Sequence, residues 1–476
     1  MEKKLGLPSA IATGVGLIVA TSCLMSLGQG AGTIGTSFII SMIIACAINI
    51  FTALGLSELN ALMPNLTGGL AQYTLAAMGP FASIIVMVGG YIVCNTISGS
   101  AECAMFGNTM NSVFHTPLPS SFFCIILLVI LIVTNLCGVD MFAKIQDVVA
   151  YGLIFSLVIM GLIGMFKAGT GKVVDQPAVI SSAPSDIFSM LGIAFFLFLG
   201  CEFIIPIAPN IKNGRRNVPL GMILSLLIVL GMQIIVVLGM HNYTKWDELA
   251  SNSAPHVLYG VNLLGNVGKY WMAIVSIFAV VSTVNSVIGS LPYICAGMAK
   301  IGLLPEIFAK RNKFGTPFFG TLLIGGLMII INATGLSTTS QLSTLILIGC
   351  VFWMAAYAIS AIDVLIFRKK LKKAPRTFKV PLGPVIPILC ITGNVFMMYN
   401  ISPDPATRGL IYRVVGIIFV ALAIYSVIWI KKVMKIKLFK PLSVEQVMAM
   451  ENDMYRLVRK KKKKSESIPI VERAMK

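Results

Sequence analysis

Charge is scarce in this sequence. Of its 476 residues only 12% are Asp, Glu, Lys or Arg, and just 18 of those are acidic. A soluble domain carries about 25% charged residues, so this chain lacks the polar surface a water-facing fold needs. Histidine occurs only at His115, His241 and His256, and no group of His, Cys and carboxylates has the spacing of a metal site. No phosphate-cradling G-x-x-x-x-G-K-[ST] segment occurs, so ATP-driven work would need a separate subunit. The ten cysteines fall mostly inside apolar runs, where they read as small packing residues rather than a disulfide framework. A cleaved leader is not expected either, because the first apolar run follows Met1-Glu-Lys-Lys4 and leads into the second without a small-residue cleavage site.

Apolar side chains are what the sequence has in quantity. They make up 57% of the residues, and the mean hydropathy is +0.89. Lipid is the only solvent that suits such a chain. A hydrocarbon core about 30 Å thick needs roughly 20 apolar residues per helical span, since backbone polar groups there must be satisfied within the helix. Runs that meet this need fall at 8–30, 35–59, 81–112, 120–139, 143–166, 187–209, 217–240, 269–298, 317–334, 341–367, 380–400 and 410–431. The reading is an all-α polytopic membrane protein with 12 transmembrane helices and no enzymatic site.

The net charge of +19 is not spread evenly. With both termini in the cytoplasm, the inner loops hold Lys212, Arg215 and Arg216, then Lys300, Lys310, Arg311 and Lys313. They also hold the cluster from Arg368 to Lys379. The tail adds Lys431, Lys432, Lys435 and the run 459–464, whereas the outer loops are sparse in Lys and Arg. This is the positive-inside pattern of a multi-pass protein of the inner (cytoplasmic) membrane. The basic tail is suited to anionic lipid, at about 1 kcal/mol per Lys or Arg near the surface. Nucleic acid is not an expected partner.

Two spans contain residues a plain anchor would not need. The first carries Gly14, Gly16, Thr21, Ser22, Gly28, Gln29, Gly30 and Gly32; the sixth reads Phe198-Leu-Gly-Cys-Glu-Phe-Ile-Ile-Pro-Ile-Ala-Pro-Asn210. Breaks five helices apart point to inverted repeats with a substrate site where they meet, although close packing of small residues gives the same composition. The longest outer segments, 167–186 and 241–268, are too short for a separate domain, and the second suits a short surface helix.

Ionisable residues inside the spans are few and therefore informative. Glu202 sits mid-way along the sixth run, as a coupling or gating group or as a structural clamp. Glu102 follows Ser98 by four residues and Asn95 by seven, so the three form a polar stripe on one helix face. It faces either an ammonium group or an interhelical hydrogen bond. Ser282 and Thr283, followed by Asn285 and Ser286, offer hard oxygens for a small cation, although such hydroxyls also bond their own helix. Phe196, six residues before Glu202, is a candidate aromatic lid, although a chain with 26 Phe supplies many aromatic rings by composition alone. The patterns Asn65-Leu-Thr67 and Asn242-Tyr-Thr244 match a glycosylation acceptor with little weight.

Four stretches carry a family resemblance. They are Gly55-Leu-Ser-Glu-Leu-Asn-Ala-Leu-Met-Pro64 with Gly68-Gly69 and Gly79-Pro80; Gly200-Cys-Glu202 leading to Ile211-Lys-Asn-Gly-Arg-Arg-Asn-Val-Pro219; Gly302-Leu-Leu-Pro305 with Thr316-Pro317; and Pro375-Arg-Thr-Phe-Lys-Val-Pro-Leu-Gly-Pro384. Over residues 8 to 431 the chain resembles the amino acid–polyamine–organocation superfamily, specifically its bacterial amino acid permeases. That resemblance implies a leucine-transporter-like fold with two inverted five-helix repeats plus two C-terminal helices. The segments are then 1–7 as an N-terminus, 8–166 as the first repeat, 187–334 with 341–367 as the second, 380–431 as the last two spans, and 432–476 as a basic tail.

The residues and the resemblance together give the site residues. Substrate contact falls to Ala20, Thr21, Ser22, Cys23, Asn95, Ser98, Glu102, Phe196, Phe198 and Gly200, with Glu202 and Phe196 in coupling and gating. In the family a Gly-Ser-Gly-Ile-Phe-like break offers free amides to a substrate carboxylate; here Ala20-Thr-Ser-Cys-Leu24 stands in its place, or Gly28 to Gly32 moves the break downstream. No lysine lies near Leu153, where proton-coupled relatives place one, so Ser282 and Thr283 imply sodium coupling, with proton coupling or ion-free exchange as the other possibilities. The implied function is secondary active transport of an amino acid, by symport or exchange, in a monomer or homodimer without cofactor. The alternatives are transport of a polyamine or other amine, a non-transporting nutrient sensor, and a passive channel.

Overall fold

The computed structural model describes residues 5–64, 69–114, 117–137, 141–205, 208, 211–335, 339–374 and 376–450. His115, the Asn65–Thr67 pattern, Gly68, Pro206, Pro209, Asn210, Pro375 and the basic run 459–464 lie outside the described residues.

Helix dominates. Among the described residues, extended pairing is limited to two isolated bridges, Leu5 with Ile211 and Gly35 with Val179. The first apolar run forms α1 (Leu7–Ile18) and α2 (Thr21–Ile34), bent by 63° to each other. The second forms α3 (Phe38–Leu62), and a short α4 (Leu70–Ala77) follows. Helix α5 (Pro80–Asn111) begins at a proline, whose missing N–H costs nothing in a first turn. It contains a π-helical stretch over Ile85–Val93, a local widening often found beside functional sites. Then come α6 (Ser120–Leu136), α7 (Met141–Met165), α8 (Pro184–Ser189) and α9 (Leu191–Phe196). The remainder comprises α10 (Gly214–Tyr243), α11 (Trp246–Ser251), α12 (Pro255–Lys300), α13 (Phe318–Ala333), α14 (Thr339–Lys370), α15 (Val385–Tyr399), α16 (Pro405–Trp429) and α17 (Val444–Met450).

Six of these helices are long and apolar enough to cross a membrane, and the bent pair α1–α2 makes a seventh. Five shorter apolar helices, at Ser120–Leu136, Ala150–Met165, Leu191–Ile204, Phe318–Ala333 and Val385–Tyr399, fall on the remaining runs of the sequence. Burial separates core helices from peripheral ones. The apolar window of α14 is 78% buried, whereas that of α16 is only 17% buried and presents Ile417, Val420 and Ile424 outward. An apolar helix with so little protein around it faces hydrocarbon.

Segment 241–268 folds as two short helices: α11, and a piece at 255–263 that ends where Leu264 and Gly265 leave helical geometry, Gly265 at φ +62°. Segment 167–183 has no regular structure yet is tied along its length. Val174 N–H donates to the Asn242 carbonyl (2.8 Å), and the Gln176 amide donates to the carbonyls of His241 and Thr244 (2.8 Å each). Trp246 donates its indole N–H to Pro177 O (2.9 Å), and Thr36 N–H reaches Ala178 O (2.8 Å). At the other end of the chain the tail lies along α4 and α5, with Phe81 N–H donating to Leu438 O (3.1 Å) and Phe439 packed edge-on against Phe81.

Candidate functional site

The break in the first span lies at Val19 and Ala20. Ala20 is extended (φ −106°, ψ 162°), and α2 restarts at Thr21. A restarting helix exposes N–H groups without intrahelical partners. Those of Cys23 and Leu24 reach back to the Ala20 carbonyl (3.1 and 3.3 Å). Those of Thr21 and Ser22 donate to the carboxylate of Glu102 on α5, at 3.1 and 2.9 Å, and the Ser22 hydroxyl also donates to Glu102 Oε1. Glu102 is buried, and three donors answer the cost of desolvating it. The Thr21 hydroxyl donates to Ser276 O on α12 (2.8 Å), pinning the restart from the other side. The downstream glycines do not form the break: Gly28 packs on Pro255, Gly30 on Phe38 and Gly32 on the backbone of Trp246 and Ala250.

The sixth span breaks after α9. Gly200 has φ +120°, which a side chain would strain, and a Cβ there would stand 3.2 Å from the Leu17 carbonyl carbon. The two broken spans therefore touch at their breaks. After Gly200 the chain resumes as a tight turn of 3-10 helix, Cys201–Ile204. This turn carries Glu202, whose Oε1 accepts the Trp353 indole N–H (2.8 Å) and whose Oε2 accepts the Tyr357 hydroxyl (2.6 Å). Both donors belong to α14, so Glu202 joins the broken sixth span to the most buried of the six long spans.

Between the breaks lies a small cavity of about 50 Å³. Of the residues expected at a site, Ala20, Cys23, Asn95, Ser98, Glu102, Phe196, Gly200 and Thr283 line it. Thr21 and Ser22 are not in the lining: their amides bond Glu102 and the Thr21 hydroxyl bonds Ser276 O, while Phe198 is buried in the core. Glu202 sits behind Trp353, which does line the cavity. Ser282 and Thr283 are about 100° apart around one helix. Only Thr283 is in the lining, and its hydroxyl oxygen is buried without a hydrogen-bond partner. Asn285 points away and accepts from the Asn135 amide (2.8 Å). Among the described lining residues Glu102 is the one ionisable carboxylate, and no Lys, Arg or His is present.

Sequence reasoning missed Trp353, Tyr357 and Phe203. Trp353 and Tyr357 are four residues apart, hence on one helix face, and only four tryptophans occur in the chain. An indole and a phenol at that spacing inside an apolar run were the available signal, since both carry a polar tip that needs a partner when buried. Also missed was Asp363 of α14, fully buried, which accepts the Thr74 hydroxyl at 2.6 Å.

Known proteins share these features of sequence and fold. Residues 5–422 match the amino acid permease family. The branched-chain amino acid permease BcaP of Bacillus subtilis (strain 168) is 23% identical over 441 residues, which cover 88% of this chain and 92% of that one. The methylthioribose transporter of the same organism is 24% identical, with 85% and 89% covered, and its serine/threonine exchanger SteT is 24% identical, with 84% and 91% covered. In three dimensions the chain is similar to the manganese transporter of Eremococcus coleocola in complex with an aromatic bis-isothiourea substituted compound. The TM-score is 0.58 at 12% identity, over 89% of this chain and 94% of that one. At that identity the likeness is one of fold: an all-α, many-helix, leucine-transporter-like membrane protein.

Proposed function

Since this chain belongs to the amino acid permease family, and so is a secondary-active membrane transporter of a small solute rather than an enzyme, we propose that its cargo is an amine-bearing solute, an amino acid or a related amine, moved by alternating access. The observation that carries the reading is the meeting of the two breaks, Gly200 against Leu17, with a cavity between them whose largely apolar lining includes Asn95, Ser98, Glu102 and Thr283. Broken helices that meet at a cavity offer backbone groups to a solute while the surrounding bundle rocks. We read the seven long spans and five shorter apolar helices as twelve crossings, 8–166 and 187–367 as inverted repeats and 380–431 as the final pair, with both termini cytoplasmic.

In this mechanism the solute sits among Ala20, Cys23, Asn95, Ser98, Glu102 and Gly200, under Phe196 as a lid. Glu202 transmits closure, because its two bonds link the sixth-span break to α14. The unpartnered Thr283 oxygen supports sodium as the coupling ion, being a hard, buried ligand without another bond partner. The test is uptake of labelled amino acids and amines into proteoliposomes under separate sodium and proton gradients, with and without solute inside. Saturable uptake driven by sodium and lost in Thr283→Val supports coupled symport. Uptake insensitive to both gradients but accelerated by internal solute makes the protein an exchanger. Non-saturating flux without acceleration removes alternating access, and binding without flux leaves a sensor.

A further inference from the structure

The break in the first span is a seat for an anion, and the protein fills it itself. Helix N-termini attract negative groups because their free N–H donors and the helix dipole point the same way. At the start of α2 the donors available are the amides of Thr21 and Ser22 and the Ser22 hydroxyl, and all three go to Glu102. The next two amides are taken by the Ala20 carbonyl. A solute carboxylate arriving here finds its donors occupied and another carboxyl group beside it. No Lys, Arg or His among the described lining residues stands there to receive it instead.

The same carboxylate is well placed for a cation. A carboxylate accepts about four hydrogen bonds, and three of Glu102's are used. Glu102 also lines the cavity, together with Trp353, Asn95, Ser98 and Thr283. Ammonium groups favour carboxylates, neutral oxygens and indole faces. At about 50 Å³ the cavity holds roughly three to five water-sized groups, at 10–15 Å³ each. Building on the transport reading above, we infer that Glu102 serves as a built-in carboxylate and that the solute is a short primary amine lacking a carboxylate of its own. It stands where the acid group of an amino acid would stand, so the solute supplies only the amine and a small polar or apolar remainder.

The experiment pairs each small amino acid with its decarboxylated counterpart, serine with ethanolamine and alanine with ethylamine. The full chain in proteoliposomes is assayed for uptake, and the purified protein for thermal stabilisation by each compound. The amines are expected to be taken up with a KM at least ten-fold below that of their amino acids. Glu102→Gln, which keeps the side chain's shape, is expected to raise the KM for ethanolamine at least ten-fold. Glu102→Ala, which vacates the amides, is expected to narrow the preference for ethanolamine over serine. Serine favoured over ethanolamine in the unmodified protein overturns the inference and leaves the transport reading standing. So does a Glu102→Gln protein that melts earlier but keeps the amine-to-amino-acid ratio, since Glu102 is then only a helix cap. If neither set is taken up or stabilises the protein, this inference falls, and the transport reading stands or falls on uptake of the wider amino acid and amine panel.

Discussion

Arg368 holds Glu58 with two arms of one guanidinium. Its Nε lies 3.0 Å from Glu58 Oε1 and its Nη2 2.5 Å from Oε2, joining the end of α14 to the end of α3. Val380 N–H donates to the same Oε2 at 2.8 Å. Arg376 stands 3.5 Å from Oε1, close enough for charge attraction though outside hydrogen-bond geometry. Glu58 is buried, so its charge depends on these partners.

Removing one member of such a pair strands the other. Glu58→Gln is expected to destabilise the protein by about 3–5 kcal/mol, the usual cost of breaking a buried pair from one side. Glu58→Gln with Arg368→Gln should recover part of the loss. Thermal unfolding in detergent reads both, and an unchanged midpoint in Glu58→Gln would show that the pair contributes nothing.

Tyr357→Phe and Trp353→Phe each delete one donor to Glu202. Each should cost about 1.5–3 kcal/mol, the range for a hydrogen bond to a charged group. Because they act on one carboxylate, their effects should not add. A double-mutant cycle on melting free energy and on uptake rate tests this, and strict additivity in both would argue against a shared role.

Three glycines give graded expectations. At Gly200 the backbone has φ +120°, so Gly200→Ala should cost about 1–3 kcal/mol and slow transport. At Gly32 a Cβ would sit 2.4 Å from the Ala250 backbone nitrogen, so Gly32→Ala should push α11 off α2 and lower expression. At Gly231 nothing lies within 4 Å, so Gly231→Ala should be neutral or stabilising by up to about 1 kcal/mol. Melting curves rank the three, and Gly231→Ala as the worst would contradict the packing described.

Asp404 caps α16 from outside the span. Its carboxylate accepts the Thr407 hydroxyl (2.5 Å) and the amides of Thr407 (2.8 Å) and Ala406 (3.3 Å). These bonds, the Thr407 hydroxyl foremost, hold the carboxyl below the ordinary aspartate range. A lowered folded-state pKa means the cap is at full strength above the unfolded value of about 3.9 and is lost as pH falls through the folded one. Hydrogen exchange of the Ala406 and Thr407 amides should lose this protection in acid. In Asp404→Asn it should show no such transition.

The sequence disclosed whatever depends on near neighbours. Apolar runs placed the helices, Gly200 lay within the stretch read as broken, and Glu202 and Glu102 stood out as carboxylates in lipid-length segments. What it hid were partners distant along the chain. Glu102 meets Thr21 and Ser22 some 80 residues upstream, and Glu202 meets Trp353 and Tyr357 some 150 residues downstream. Local periodicity says which face of a helix is polar but not which helix that face meets. The amides at 21 and 22, expected to await a substrate, are thus found bonded within the protein.

The irregular segment 167–183 bears on how the protein meets proteases and labelling reagents. Chain without helix or strand is ordinarily where nicking and insertion succeed, because its backbone can be drawn into an extended shape. Here Val174 and the side chain of Gln176 are bonded to the end of α10 and the residues after it, and the carbonyls of Pro177 and Ala178 to Trp246 and Thr36. To cut or tag within 174–178 is to pull apart several helices at once, so this stretch will resist digestion that its lack of regular structure would otherwise invite.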